Sequence, residues 1–101
     1  MSYNGYENYE TWNVSLWLDN DEGTYGYWAD RAEEVLESND MDKDDALYAL
    51  AKEIEQEIED WNPITIASTY SDLLVHALGM VEWAEVAQSF IDLAVERAED
   101  E

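Results

Sequence analysis

Carboxylates are the side chains this sequence holds in quantity: 26 Asp and Glu, against a single His and no Cys. Without cysteine, disulfides, thiolate zinc sites and cysteine nucleophiles are all excluded. Asp40, Asp42 and Asp44 alternate like the first three ligands of an EF-hand calcium loop, which also needs Gly at its sixth place and Glu at its twelfth. Those places hold Asp45 and Ala51, so the pattern fails. Asp19, Asp21 and Gly23 fail as well, with Gly one place early and no Glu in register. His76 stands among Leu74, Val75, Ala77 and Leu78, where a lone histidine reads as a hydrogen-bonded core or edge residue. Zinc would need three or four ligands, and carboxylates alone suit hard cations. As a general base His76 would need a nucleophile and an orienting acid, and no motif supplies them. Glycosidase-type chemistry needs one carboxylic acid of raised pKa in an enclosed cleft. The acids here fall on polar helix faces and should stay ionised. The reading is non-enzymatic, with no metal and no cofactor.

What the acids can do is attract a cationic surface. The formal charge is −22, with only four Lys and Arg. Nucleic acid and anionic membranes would be repelled as direct partners, whereas a basic protein is favoured in encounter and in contact. Carboxylates three and four residues apart on a helix lie about 5–6 Å from each other. On that spacing the candidate partner-binding residues are Asp30, Glu33, Glu34 and Glu37, then Asp44, Asp45, Glu53, Glu55, Glu57, Glu59 and Asp60. From Asp42 to Asp60 eight acids face two bases. At a rise of about 1.5 Å per residue that is roughly one net charge per 5 Å. Duplex DNA carries one per ~1.7 Å, so two or three such helices side by side would approach its density. Acidity that serves only solubility or salt adaptation is the bland counterpart. Tyr3, Tyr6, Tyr25 and Tyr27 form a possible aromatic interface, since aromatics anchor protein contacts; filling a small core is their plainer role.

The elements that must position these groups are helices. The apolar fraction of 47% with 13 aromatics argues against disorder, and 101 residues make a single domain, 1–101. Residues 1–8 read as a loose N-terminal arm. Asn8 caps a short helix over Tyr9–Leu18, Gly23 suits a left-handed stop, and Thr24 caps a second helix over Tyr25–Ser38. Asp42 caps a third helix, Lys43–Trp61, with Asp45 three residues on in capping-box position. Leu47, Leu50, Ala51, Ile54, Ile58 and Trp61 form its apolar stripe, flanked by Asp44, Glu55 and Glu59 on one side and Glu53, Glu57 and Asp60 on the other. Pro63 forbids continuation. A fourth helix begins at Ser68 or Ser71 and runs through Leu78, with Gly79 as its stop. A fifth spans Glu82–Ala98 and buries Trp83, Val86, Ala87, Phe90, Ile91 and Ala94, before an acidic tail, 97–101, that frays. Trp61–Val81 carries Asp72 as its one charge. That neutrality predicts a buried seam with the fourth helix at the centre, so that Trp61–Leu78 and Trp83–Ala94 make up much of the core. No run alternates with period two, so the expected fold class is all-α, about five helices. The N-terminus lacks the features of a signal peptide, and the chain reads as cytoplasmic.

The run Tyr9-Glu10-Thr11-Trp12-Asn13-Val14, then Leu16-Trp17 and Asp19-Asn20-Asp21-Glu22-Gly23, resembles the opening of a family of small proteins found in phages, plasmids and bacterial genomes. A second block is similar too, from Ser71-Asp72-Leu73-Leu74 through Val81-Glu82-Trp83 to Val86-Ala87. The resemblance implies a mobile-element origin and brings no activity or site residues with it. By analogy with other small acidic phage proteins, it implies a counter-defence role, anti-CRISPR or anti-restriction. Charge and resemblance together lead to the expectation of an inhibitor that mimics DNA in the basic groove of a host nucleic-acid-binding protein. The alternative expectation is a homodimeric module, paired through the N-terminal aromatics, whose acidity keeps it soluble.

Overall fold

The computed structural model describes residues 3–100 and contains five helices and no strand among them. The portions of the expected arm and tail at residues 1, 2 and 101 lie outside the described residues. The first helix, α1, spans Tyr9–Asn20 and is capped by Asn8, whose side chain accepts the Thr11 N–H at 2.9 Å. Asp21 then ends α1 and starts α2, Glu22–Ser38. Its carboxylate accepts the Thr24 N–H at 2.9 Å. Gly23 and Thr24 therefore sit inside the first turn of α2, neither as a stop nor as a cap. Asp21, three residues before Thr24, already takes a free amide of that turn. This bond holds the Asp21 carboxyl below its ordinary range. Its contribution to α2 is thus present above the unfolded value near 3.9 and is lost as pH falls through the lower folded value.

The third helix, α3, spans Lys43–Asp60 behind the expected Asp42 cap, which accepts the Asp45 N–H at 3.0 Å. The fourth, α4, spans Thr69–Gly79. Ser68 and Ser71 form a complete capping box at its start, with Ser71 N–H to Ser68 Oγ at 3.2 Å and Ser68 N–H to Ser71 Oγ at 2.8 Å. The fifth, α5, runs Trp83–Glu99. The C-terminal segment is helical through Glu99, and Arg97 within it lies 3.6 Å from Glu33 and 3.9 Å from Asp30 of α2.

Cross-helix contacts fix the layout. Arg31 of α2 meets Glu53 of α3, so these two form an antiparallel hairpin across the turn at 39–42. Tyr25 packs on Phe90 with ring centroids 5.7 Å apart, and Asp30 and Glu33 lie near Arg97, so α5 runs parallel to α2 and antiparallel to α3. The interior is filled mainly by Trp28, Leu36, Leu50, Ile54, Val86, Phe90 and Ile91 of those three helices. Ala29, Ala32, Ala46, Ala87 and Ala94, all buried, let the backbones approach. The α1 helix closes over α2 and α5 with Leu18 buried.

The predicted buried seam is overturned except at its last residue, Val81, which joins the core. No residue of α4 is buried, and Tyr70, Leu73 and Val75 are 72%, 64% and 67% exposed. Trp61, expected at the end of the α3 stripe, is 60% exposed, and Ile66 is 80% exposed. The physical reason is volume. Three long amphipathic helices close their stripes on one another, and the space between them is full before α4 is reached. The chain between α3 and α5 accordingly leaves the body. Pro63 stops α3 from extending, and the Asn62 side chain accepts the Ile64 N–H at 2.8 Å, turning the backbone outward. The longest dimension, 49 Å, is nearly twice the ~27 Å length of an eighteen-residue helix.

Nor are the described residues of the N-terminal arm loose. Tyr3 and Tyr6 exchange backbone hydrogen bonds at 2.6 and 2.8 Å around Asn4 and Gly5, whose φ angles are 48° and 92°. This is the tight turn that an Asn-Gly pair favours, because both residues tolerate positive φ. The segment is then tied down at three points. The Glu7 N–H donates to Glu85 Oε1 at 2.9 Å, and the Asn8 side-chain amide to the Met80 carbonyl at 2.7 Å. The fully buried Thr11 hydroxyl accepts the Glu82 N–H at 2.9 Å and donates to Asn8 Oδ1 at 2.6 Å. Thr11→Val keeps the shape and removes both hydroxyl bonds, leaving a part-buried amide without its partner. The expected loss is about 1–3 kcal/mol in a denaturant titration.

Candidate partner-binding surface

The eleven predicted carboxylates divide into groups. Asp30, Glu34 and Glu37 recur at i, i+4 and i+7 and form the exposed outer row of α2. Glu33, half-buried, turns toward α5 and shares a hollow with Glu37, Leu36, Met41, Ala94 and Ala98. Across the α2/α3 seam, Asp30, Glu34 and Glu53 line a second hollow with Tyr27 and Arg31. Glu57 continues that seam into a third, with Asp21, Thr24, Tyr27 and Trp61. Asp60 is exposed at the end of the same flank of α3. Asp44, Asp45, Glu55 and Glu59 belong to the far flank and back of α3, away from α2. The structure thus brings Asp30, Glu34, Glu53 and Glu57 together, and adds Asp21, which the helix pattern alone missed.

Basic side chains missed at the sequence level shape this surface. Arg31 donates from Nε to Glu53 Oε1 at 2.7 Å, from Nη2 to Glu53 Oε2 at 3.0 Å and from Nη1 to Glu34 Oε2 at 2.7 Å. These bonds, to Glu53 first and then Glu34, hold the guanidinium still more firmly protonated than usual. Arg31 thereby staples α2 to α3, and Arg97 brings a second positive charge between α5 and α2. The sequence shows all four cations, Arg31, Lys43, Lys52 and Arg97, within acid-rich helices, but which of them reach across to a neighbouring helix is decided by packing. Both are partly exposed, so solvent screens them and each pair is worth little alone. Arg31→Gln should cost on the order of 1 kcal/mol at low ionic strength, by thermal unfolding, and much less in high salt.

The aromatic candidates do not form one patch. Tyr3 packs on Trp12 at 5.0 Å and edge-on to Tyr9 at 5.4 Å. Tyr6 is half-buried and tied to Tyr3. Tyr25 packs on Phe90, and Tyr27, half exposed, meets Trp28 edge-on at 4.9 Å and borders the acidic seam. His76 is exposed on α4, not at a core edge. Asp40, Asp42 and Asp44 are exposed, Asp42 being the α3 cap. Among the described residues no three His, Cys, Asp or Glu are grouped to hold a metal ion, and no helix is long and apolar enough to cross a membrane.

Fold and surface define a class: a small acidic helical bundle with a carboxylate-lined seam between α2 and α3 and a fourth helix, carrying Asp72 as its one acid, that stands off the body. Over residues 1–100 the chain matches a family of unknown function, DUF7249, and it belongs to that family. No curated protein and no solved structure matches it.

Proposed function

We propose that this chain is a non-enzymatic inhibitor that occupies the basic nucleic-acid-binding surface of another protein. The observation that carries the reading is the α2/α3 seam. There Asp21, Asp30, Glu34 and Glu57 stand as an anionic track around Arg31, which is already committed to Glu53 and Glu34, while Arg97 approaches Asp30 from α5 at 3.9 Å. Such a track offers a cationic groove the repeating negative charge that a phosphate backbone offers, and it repels nucleic acid itself. With the phage-like sequence blocks, it favours a counter-defence target, a CRISPR effector or restriction enzyme, met in the bacterial cytoplasm.

The test is capture from bacterial lysate on immobilised protein, elution by rising salt, and competition with duplex DNA. A nuclease or other nucleic-acid-binding protein that elutes with salt and is displaced by DNA supports the reading. A captured protein that DNA leaves in place sinks it.

A further inference from the structure

The feature left unexplained by an acidic surface is the arm from Trp61 to Val81. Its exposed apolar side chains include Trp61 (60%), Ile66 (80%), Tyr70 (72%), Leu73 (64%), Val75 (67%) and Met80 (44%). Val75 lies on the Asp72 side of α4; taking about 150–250 Å² for a large side chain, the other five leave roughly 650 Å² of mainly apolar residue surface in water. That exceeds what a monomeric protein usually leaves in one region and approaches the ~800 Å² per partner of a stable interface. Within α4, Tyr70, Leu73, Leu74 and Ala77 stand at i, i+3, i+4 and i+7, an apolar stripe whose Leu74 and Ala77 are half-buried and whose Tyr70 and Leu73 are left exposed. Asp72 and His76 fall on the opposite side of the helix.

Charge selects the occupant. Twenty-five of the 26 acids lie outside residues 61–81, where Asp72 is the only one. A basic partner gains nothing from a neutral arm beside so many carboxylates. Two copies of the chain repel over their bodies and can meet only where charge is absent, which is this stretch. We propose that the α4 arm is the seat of a second copy of this chain, stripe against stripe about a two-fold axis. Such pairing is isologous: the same residues cover one another, so a single neutral patch suffices for closure. Because the bodies carry like charge, added salt screens their repulsion and strengthens the dimer. The acidic track responds to salt with the opposite sign, so failure of either reading leaves the other standing.

Sedimentation equilibrium across a salt series tests this on the intact chain. The wild type is expected at twice its 11.7 kDa mass at micromolar concentration, with a dissociation constant falling about tenfold between low salt and ~0.5 M NaCl. The double variant Tyr70→Glu/Leu73→Glu is expected as a monomer with unchanged helical circular dichroism, since neither side chain touches the core. A wild type that stays monomeric throughout leaves the arm to a different partner and overturns the proposal. A dimer that survives the double substitution, or that loosens as salt rises, overturns it equally.

Discussion

Phe90→Ala lowers the stability of the bundle by about 3–5 kcal/mol, while Leu73→Ala moves it by less than ~0.5 kcal/mol in the monomeric chain. Both are large apolar residues on amphipathic helices, and sequence reading puts both in the core. Phe90 is 2% exposed and packs beneath Tyr25 in the space shared by α2, α3 and α5. Its removal leaves a cavity in a region already lined by rigid alanines, which have no side chain to swing into it. Leu73 leaves only solvent behind. Urea titration of both variants, at low protein concentration in the Tyr70→Glu background, separates the effects from association. Equal losses at the two positions would mean that α4 packs on the body after all.

Reversing Asp30, Glu34 and Glu57 to Lys is the second large effect, and it acts on binding. The triple variant should weaken affinity for a captured basic target at least about a hundredfold, since each reversal both deletes an attraction and adds a repulsion. Glu53 is deliberately spared. Its carboxylate takes the two hydrogen bonds from Arg31 that tie α2 to α3, whereas Glu34 takes one from Arg31 within α2, so reversing Glu34 leaves the cross-helix tie in place. A control reversal of Asp44, Asp45 and Glu59 changes the net charge equally on the far side of α3. A comparable loss in both variants would mean that total charge, not the seam, is what the partner feels. Biolayer interferometry at two ionic strengths distinguishes these outcomes.

Much of the architecture was legible because caps are local chemistry. Asn8, Asp42 and Ser68 each offer a side-chain oxygen to amides that a helix start leaves unpaired; Asn8 and Asp42 cap where expected, and Ser68 caps as one of the two expected starts of the fourth helix. The periodic apolar positions of α5 were legible for the same local reason. The start of α2 was misread because Gly23 looks like a terminator whenever its φ is unknown. The α4 arm was misread because missing charge was equated with burial. Charge pattern is a property of a segment, whereas burial depends on whether any volume remains between the others. The arm's turn at Asn4-Gly5 could have been found, since that dipeptide is a strong turn signal. The carboxylates themselves were legible by type and by helix flank, but not which flank of α3 faces α2. That choice is made by packing, and with it the convergence of Glu57 on Asp21 and Tyr27.

The hydrogen bond from the Glu82 N–H to the Thr11 hydroxyl spans 71 positions of sequence. Chains emerge from the ribosome N-terminal end first, so α1 must wait, uncovered, while the α2/α3 hairpin closes across its short turn. Bringing α5 home then means closing a 22-residue detour instead of a four-residue one, an extra entropic cost of about 1.5 kcal/mol. The earliest helix to be made is therefore among the last to be secured, and the rate at which the Glu82 amide, donor to the Thr11 hydroxyl, becomes protected from hydrogen exchange should report the docking of α5 on α1.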